Sequence, residues 1–160
     1  MSKAIVVYYS YEGSTEEIAE ALSDYLKIDL LEIKPINEKK ATGFSKFFWG
    51  GSQVVMGKTP ELSKMDKNID DYDTIIIGSP TWAGSYTPPV KTLFDKGFVK
   101  DKKVAYFYSH LGGDSKVESK VRALIEKNNQ LIGIKAIKDV ATSKDQALKD
   151  IKNWADSLAL

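Results

Sequence analysis

The chain has no cysteine, a single histidine and almost no net charge, and each shortage removes a class of function. Without cysteine there are no disulfides, no thiolate metal ligands and no thiol nucleophile, and nothing ties the chain to a redox compartment. With 23 basic and 22 acidic side chains the formal net charge is +1, so no general attraction draws it to nucleic acid or acidic membrane. No apolar run approaches the ~20 residues that span a bilayer. The opening MSKAIVVYYS holds one Lys and only a brief apolar run, unlike a secretory signal. The 160 residues are 42% apolar and 28% charged, enough length and ordinary enough composition for one soluble domain with a proper core. The expectation is a single cytoplasmic domain over residues 1–160, with neither nucleic acid nor membrane as a partner.

What is present alternates between two patterns. Apolar, β-branched or aromatic runs occupy residues 4–9, 29–33, 74–77, 104–108 and 131–137. The first, third and fourth, AIVVYY, TIIIG and VAYFY, are nearly continuous, as in strands covered on both faces of a parallel sheet. Between them lie helical stripes: Ile18, Leu22, Tyr25 and Leu26, then Val117, Val121, Leu124 and Ile125, and last Leu148, Ile151, Ala155 and Leu158 beside Trp154. Ser14-x-x-Glu17, Ser115-x-x-Glu118 and Ser143-x-x-Gln146 have the spacing of capping boxes. Pro88 and Pro89 suit a first helical turn and Gly97 a stop, predicting a short helix near residues 89–96. Strand–helix alternation through five strands implies a three-layer α/β sheet with helices on both faces. Residues 34–73 are too long for one crossover, and a helical piece near 44–55 is expected in an insert between strands 2 and 3.

Sheets of this kind bind ligands beyond the carboxyl ends of their strands, so the connections SYEGST, GSPTWAGSYTPP and SHLGGDS carry the chemistry. In the first, Ser10, Ser14 and Thr15 supply hydroxyls, Gly13 frees the backbone, and a helix start supplies N–H groups for an anion. No Lys or Arg lies between Lys3 and Lys27, so a phosphate here would rest on neutral donors. The loop is neither a Walker motif nor a G-x-G-x-x-G fingerprint. Ser14 and Glu17 would also cap the helix with nothing bound, and both readings stand on this segment alone. In the second connection Trp82 sits in a Gly/Ser/Thr/Pro loop, placed to lie against a flat ligand or to cover the sheet end. In the third, Gly112 and Gly113 let backbone N–H groups approach a ring edge, or simply make a flexible loop.

Taken together, YYSYEGSTEEIAEAL, IIIGSPTWAGSYTPPVKTLFDKG and YSHLGGDSK resemble the flavodoxin family, and FFWGG before the third strand resembles a flavodoxin-like subgroup. The resemblance runs over almost the whole chain in matching order. It implies a flavodoxin-like sandwich, a five-stranded parallel sheet in the order 2-1-3-4-5, and non-covalent FMN. The phosphate would sit on the Ser10, Ser14 and Thr15 hydroxyls and the N–H groups from Glu12 through Gly13 to Thr15. The isoalloxazine would lie between Thr81, Trp82, Ala83 and Gly84 on one side and Leu111, Gly112 and Gly113 on another. Ser79 and Pro80 would shape the floor, and Ser109 or His110 would reach the ribityl chain or pyrimidine edge. Gly84 would free the Ala83 carbonyl to turn and accept a hydrogen bond from flavin N5.

Two departures from the family pattern matter. Flavodoxins are typically strongly acidic and this chain is not, and the third loop lacks the tyrosine that often covers the outer flavin face. Tyr86, Phe48 or Trp49 would substitute, or that face would stay open. The function implied is an electron carrier meeting redox partner proteins transiently, as a monomer or weak dimer. The alternative is an FMN-dependent NAD(P)H:quinone-type oxidoreductase on the same fold. A signalling receiver would need paired acids where Tyr8, Tyr9 and Ser10 stand, and a hydrolase would need a G-x-S-x-G elbow that the sequence lacks. His110 has no evident nucleophile partner. The FSKFFWGG segment reads as packing over the sheet edge rather than as a partner patch.

Overall fold

A computed structural model describes residues 3–36, 59–112, 116–138 and 140–160. The apolar runs form β1 (Ala4–Tyr8), β2 (Asp29–Glu32), β3 (Thr74–Pro80), β4 (Lys103–His110) and β5 (Gln130–Lys138). Every pairing is parallel and the spatial order is β2-β1-β3-β4-β5. The helices among the described residues are α1 (Ser14–Leu26), α2 (Pro88–Asp95), α3 (Val117–Glu126) and α4 (Lys144–Ser157), with one 3-10 turn at Ile69–Asp71.

The continuous apolar runs have a direct cause. Side chains alternate across a strand, so a sheet covered twice needs apolar residues at every position. Ile5, Val7, Tyr9, Ile75, Ile77, Tyr106 and Tyr108 pack with Val90 and Leu93 of α2 and with Val117, Val121 and Ile125 of α3. Val6, Tyr8, Ile76, Ala105 and Phe107 pack with Ile18, Ala19 and Leu22 of α1 and with Ala147, Ile151 and Ala155 of α4. Helices therefore flank both faces. The crossover after β1 lies on one face and that after β3 on the other, so the chain diverges between these neighbouring strands.

Some sequence readings need correction. Tyr25, placed on the buried stripe of α1, is 43% exposed. It stands at the rim of the α1–α4 contact, where its hydroxyl donates to Asp156 at 2.7 Å. Ser14 is not the cap of α1: Gly13 occupies that position at φ 102°, and no side chain caps the helix. Ser143 does precede α4 but makes no side-chain cap bond, and Gln146 instead donates to Asp150 at 2.8 Å. The expected helix at 44–55, Phe48, Trp49, Ser115 and Gly113 lie outside the described residues. β5 carries one extra residue opposite Val104 and Ala105, which pair with Leu131 and Gly133, a bulge invisible to hydrophobic patterning.

Gly78 is the tightest point of the sheet. A Cβ there would stand 2.1 Å from Cζ of Phe107, because the Phe107 ring lies across the β3 backbone on its way to an edge contact with Trp154, 6.4 Å between centroids. At the opposite end Tyr72 donates its hydroxyl to Asp29 at 2.6 Å. Burial first, then that bond and the Asp29 charge, push the phenol up to about 12.

Gly78→Ala is expected to cost about 1–3 kcal/mol by overpacking, read as a lower urea midpoint. Adding Phe107→Leu should recover part of the loss; a double variant as unstable as the sum of the two singles would show that the ring is not the obstacle. Tyr72 contributes to an alkaline limit, beside the buried Tyr8 and Tyr106, which are raised further. The folded phenol keeps its proton to about 12 while an unfolded tyrosine loses it near 10, so this stability is present below pH 10 and lost as pH rises through 12. In urea titrations at pH 9 and 11, Tyr72→Phe should narrow the difference between the two midpoints. An unchanged difference would assign the alkaline loss elsewhere.

Candidate functional site

β1 is anchored to β3 at its carboxyl end, where Tyr9 N–H donates to the Gly78 carbonyl at 3.0 Å. Immediately beyond, Ser10 Oγ accepts from Gly13 N–H at 3.0 Å, which folds the loop back on itself. Gly13 adopts a left-handed conformation that side chains resist, and its carbonyl accepts the first helical bond, from Glu17 N–H at 3.1 Å. Ser14 and Thr15 thus become first-turn residues. Their N–H groups and that of Glu16 have no acceptor within the helix, and the helix start is electropositive. Thr15 is buried, with Oγ1 3.4 Å from Oγ of Ser109 at the end of β4. One hydroxyl contact joins the first loop to the third.

The second loop is clasped at its base. Ser79 and Thr87 are fully buried and their hydroxyls meet at 2.7 Å. Thr87 precedes α2, whose first two positions are prolines, and makes no side-chain cap bond; its hydroxyl turns to the strand end instead. Inside the clasp, Trp82 and Ser85 exchange two backbone bonds, at 3.1 and 3.0 Å, around Ala83 and Gly84. Trp82 is half-buried and meets Tyr9 and Tyr11 edge-on, at 5.7 and 5.6 Å between centroids. In the third loop Leu111 is 78% exposed.

These loops enclose one cleft of about 450 Å³, within the range that holds a cofactor. The first loop contributes Ser10, Glu12, Ser14 and Thr15; the second contributes Pro80, Thr81, Trp82, Ala83 and Gly84; the third contributes Ser109, His110, Leu111 and Gly112. Two expected residues stand apart from the wall: Gly13 shapes the first loop from behind, and Ser79 holds the clasp beneath. Tyr11, Val140 and Ala141 also line the cleft and were not anticipated. Tyr11 follows the same logic as Trp82, an aromatic in a strand-end loop. Val140 and Ala141 follow β5, a fourth carboxyl end that the topology rule also covers.

The chemistry of the wall is narrow. Among the described residues its lining contains no Lys or Arg, and its ionisable side chains there are Glu12, His110 and Tyr11. Thr81 Oγ1 is buried without a hydrogen-bond partner among the described residues, a costly arrangement unless a ligand supplies one. Tyrosines elsewhere are held neutral: burial and the carboxylates of Glu32, Glu16 and Glu20 raise Tyr8, and burial raises Tyr106. The arrangement offers hydroxyls and amides to an anion at one end and an aromatic wall with small-residue turns to a flat group at the other. Among the described residues no cluster fits a metal ion and no helix is long and apolar enough to cross a membrane.

A family model described as Flavodoxin matches residues 3–158. A flavoprotein from Lactobacillus acidophilus, solved in complex with FMN, is 27% identical, with 91% of this chain and 98% of that one covered and a TM-score of 0.71. A Bacteroides eggerthii protein at 23% identity covers 100% and 99% of the two chains with a TM-score of 0.77. The flavodoxin of Megasphaera elsdenii, at 19% identity over 95% and 97%, gives 0.60; these last two likenesses speak for the fold. With a family match over nearly its full length, this chain belongs to the flavodoxin family.

Proposed function

We propose that the cleft holds FMN non-covalently and that the protein passes electrons between transient redox partner proteins. The observation that carries the reading is the convergence of an uncapped helix start, a ring of hydroxyls and an aromatic turn in one cleft with no Lys or Arg among its described residues. The Lactobacillus acidophilus flavoprotein of the same architecture was solved with FMN, and the residues here fit that group. Ser10, Ser14 and Thr15, with the first N–H groups of α1, would hold the phosphate. Trp82, Ala83 and Gly84 would bound the isoalloxazine on one side and Leu111 and Gly112 on the other. Thr81 Oγ1, without a partner among the described residues, would find one in the bound cofactor.

FMN supplies the one- and two-electron chemistry; the chain supplies seating and electrostatics. Trp82 and Pro80 exclude water from one side of the cleft, and Thr15 and Ser109 tie its two ends together. With no Lys or Arg among the described residues of the wall, added negative charge on the cofactor would be uncompensated there, which favours release of electrons to an acceptor. The exposed Leu111 marks an open rim where a partner can approach.

Freshly purified protein should be yellow, with the two flavin absorption bands. Protein that is colourless and stays so on adding FMN would remove the cofactor assignment. Ser14→Ala and Thr15→Val should each weaken FMN about 10- to 100-fold, the loss of one hydrogen bond to a charged group, with little effect on riboflavin, which lacks the phosphate. Equal losses for both ligands in a fluorescence titration would move the phosphate elsewhere. Sustained NADPH oxidation with a quinone, by the purified protein alone, would replace the carrier with the reductase.

A further inference from the structure

Tyr106, in the middle of β4, is fully buried, and its hydroxyl has no hydrogen-bond partner among the described residues. A buried hydroxyl left unpaired is costly, and the ring alone would fill the core as well. Its place in the sheet shows what it faces. Tyr106 lies opposite Ile77 in the β3–β4 register, and both side chains pack on the layer formed by α2 and α3. Ser79, two residues beyond Ile77, points to the same layer. A phenol spans about two residues of strand rise, roughly 6.5 Å, so the Tyr106 hydroxyl ends beside the Ser79–Thr87 clasp. Its acidity registers these neighbours: burial raises the phenol, the Ser79 hydroxyl lowers it, and Tyr86 and Tyr108 raise it.

The clasp has room for one more donor. Ser79 and Thr87 each carry one hydroxyl proton and two lone pairs. Thr87 is fully buried, and among the described residues its hydroxyl meets only Ser79 Oγ, at 2.7 Å. Its proton is therefore satisfied only on Ser79. Ser79 accepts from Thr87 and gives its own proton to the Pro80 carbonyl, 3.1 Å away. One lone pair of Ser79 remains, and the unpaired phenol of Tyr106 faces it. A second bond received by Ser79 strengthens the one it gives. The Pro80 carbonyl belongs to the peptide that leads into Thr81, the first cleft residue beyond the strand.

We propose that Tyr106 is a positioning residue for the cleft: its hydroxyl donates to Ser79 Oγ, and through Ser79 it holds the Pro80 carbonyl and the peptide from which Thr81 and Trp82 enter the wall. Tyr106 itself does not line the cleft. The bond needs only a small approach between side chains of neighbouring strands, since the two hydroxyls stand on one face at one level of the sheet. Its consequence for a ligand rests on the FMN reading; the bond itself does not. Thr81 and Trp82 belong to the end of the cleft that would bound the isoalloxazine. Tyr106 therefore sets affinity for the ring and leaves the phosphate end untouched.

Tyr106→Phe, Ser79→Ala and the double variant test it, each compared with the parent. In fluorescence titrations Tyr106→Phe should weaken FMN and riboflavin alike, about three- to tenfold, the contribution of one neutral hydrogen bond. It should also alter the visible circular dichroism of the bound flavin. In the Ser79→Ala background the same substitution should change neither. Urea midpoints without added flavin read the bond independently: Tyr106→Phe should lower the midpoint of the parent but not that of Ser79→Ala. An equal or higher midpoint with unchanged affinity in Tyr106→Phe would mark the phenol as an unpaired core group and overturn the proposal. Losses that simply add in the double variant, or that fall on FMN alone, would overturn it as well. A parent that binds neither flavin would remove the cofactor reading and with it the effect on the ring, while the coupling between the urea midpoints would still decide whether Tyr106 bonds Ser79.

Discussion

Burial of β3 on both faces and along both edges is the constraint from which the site follows. Residues Thr74 to Ser79 have no exposed side (all are buried), and their backbone groups are committed to β1 and β4. A strand so enclosed cannot shift register without moving an entire set of side chains to the wrong layer. Its carboxyl end is therefore a fixed point. The cleft residues of the second loop begin directly there, held by the Ser79–Thr87 clasp. The Phe107 ring lies over Gly78 one residue earlier. Core packing and cleft geometry share these positions, so a substitution at Gly78 would be felt in both.

The proposed anion seat, with no Lys or Arg among the described residues around it, depends on keeping other charges in order. The first turn of α1 carries Glu16 and Glu17, which favour the helix start themselves and would repel a phosphate lodged there. Both are engaged away from it. Glu17 pairs with Lys144 of α4 at 3.2 Å, and Glu16 accepts from the Tyr8 hydroxyl at 3.4 Å, on the layer of the sheet that faces α1 and α4. The exposed pair adds little stability, but it reduces the local negative field where the electropositive helix start needs to act. Neutral donors also select by geometry more than by charge. A hydroxyl and an amide bind only where their directions match, whereas a lysine would attract any anion.

The strands were legible because two-sided burial writes itself into every residue of AIVVY, TIIIG and VAYFY, and the loops that line the cleft were legible because topology gathers carboxyl ends. Finer features were not. Ser14-x-x-Glu17 has the spacing of a capping box, yet the cap is Gly13. The deciding interaction, Ser10 Oγ accepting from Gly13 N–H, is formed by a loop whose path the spacing does not specify. Tyr25 falls on the apolar stripe by periodicity, but a phenol at a helix–helix rim gains more from Asp156 and water than from burial. The bulge in β5 is hidden because QLIGIKAIK lies at the sheet edge and is only half covered, so neither register is strongly penalised. The positive φ of Ala83 was equally silent, since alanine gives no warning of a left-handed residue.

Trp82 shows why its two sequence readings, ligand wall and cover for the sheet end, need not compete. The indole packs on the core that includes Tyr9 and still lines the cleft. Edge-on contacts with Tyr9 and Tyr11 restrict its rotation before any ligand arrives. A free aromatic side chain would lose that rotational freedom on binding, at a cost of about 0.5–1.5 kcal/mol. Here the loss is incurred on folding, where core contacts offset it, and a flat ligand meets a wall already in place. The Ala83–Gly84 turn extends the same logic to the backbone, with the left-handed conformation of Ala83 held between the buried Ser85 on one side and the half-buried Trp82 on the other. The rigidity of the cleft is thus a property of the core beneath it.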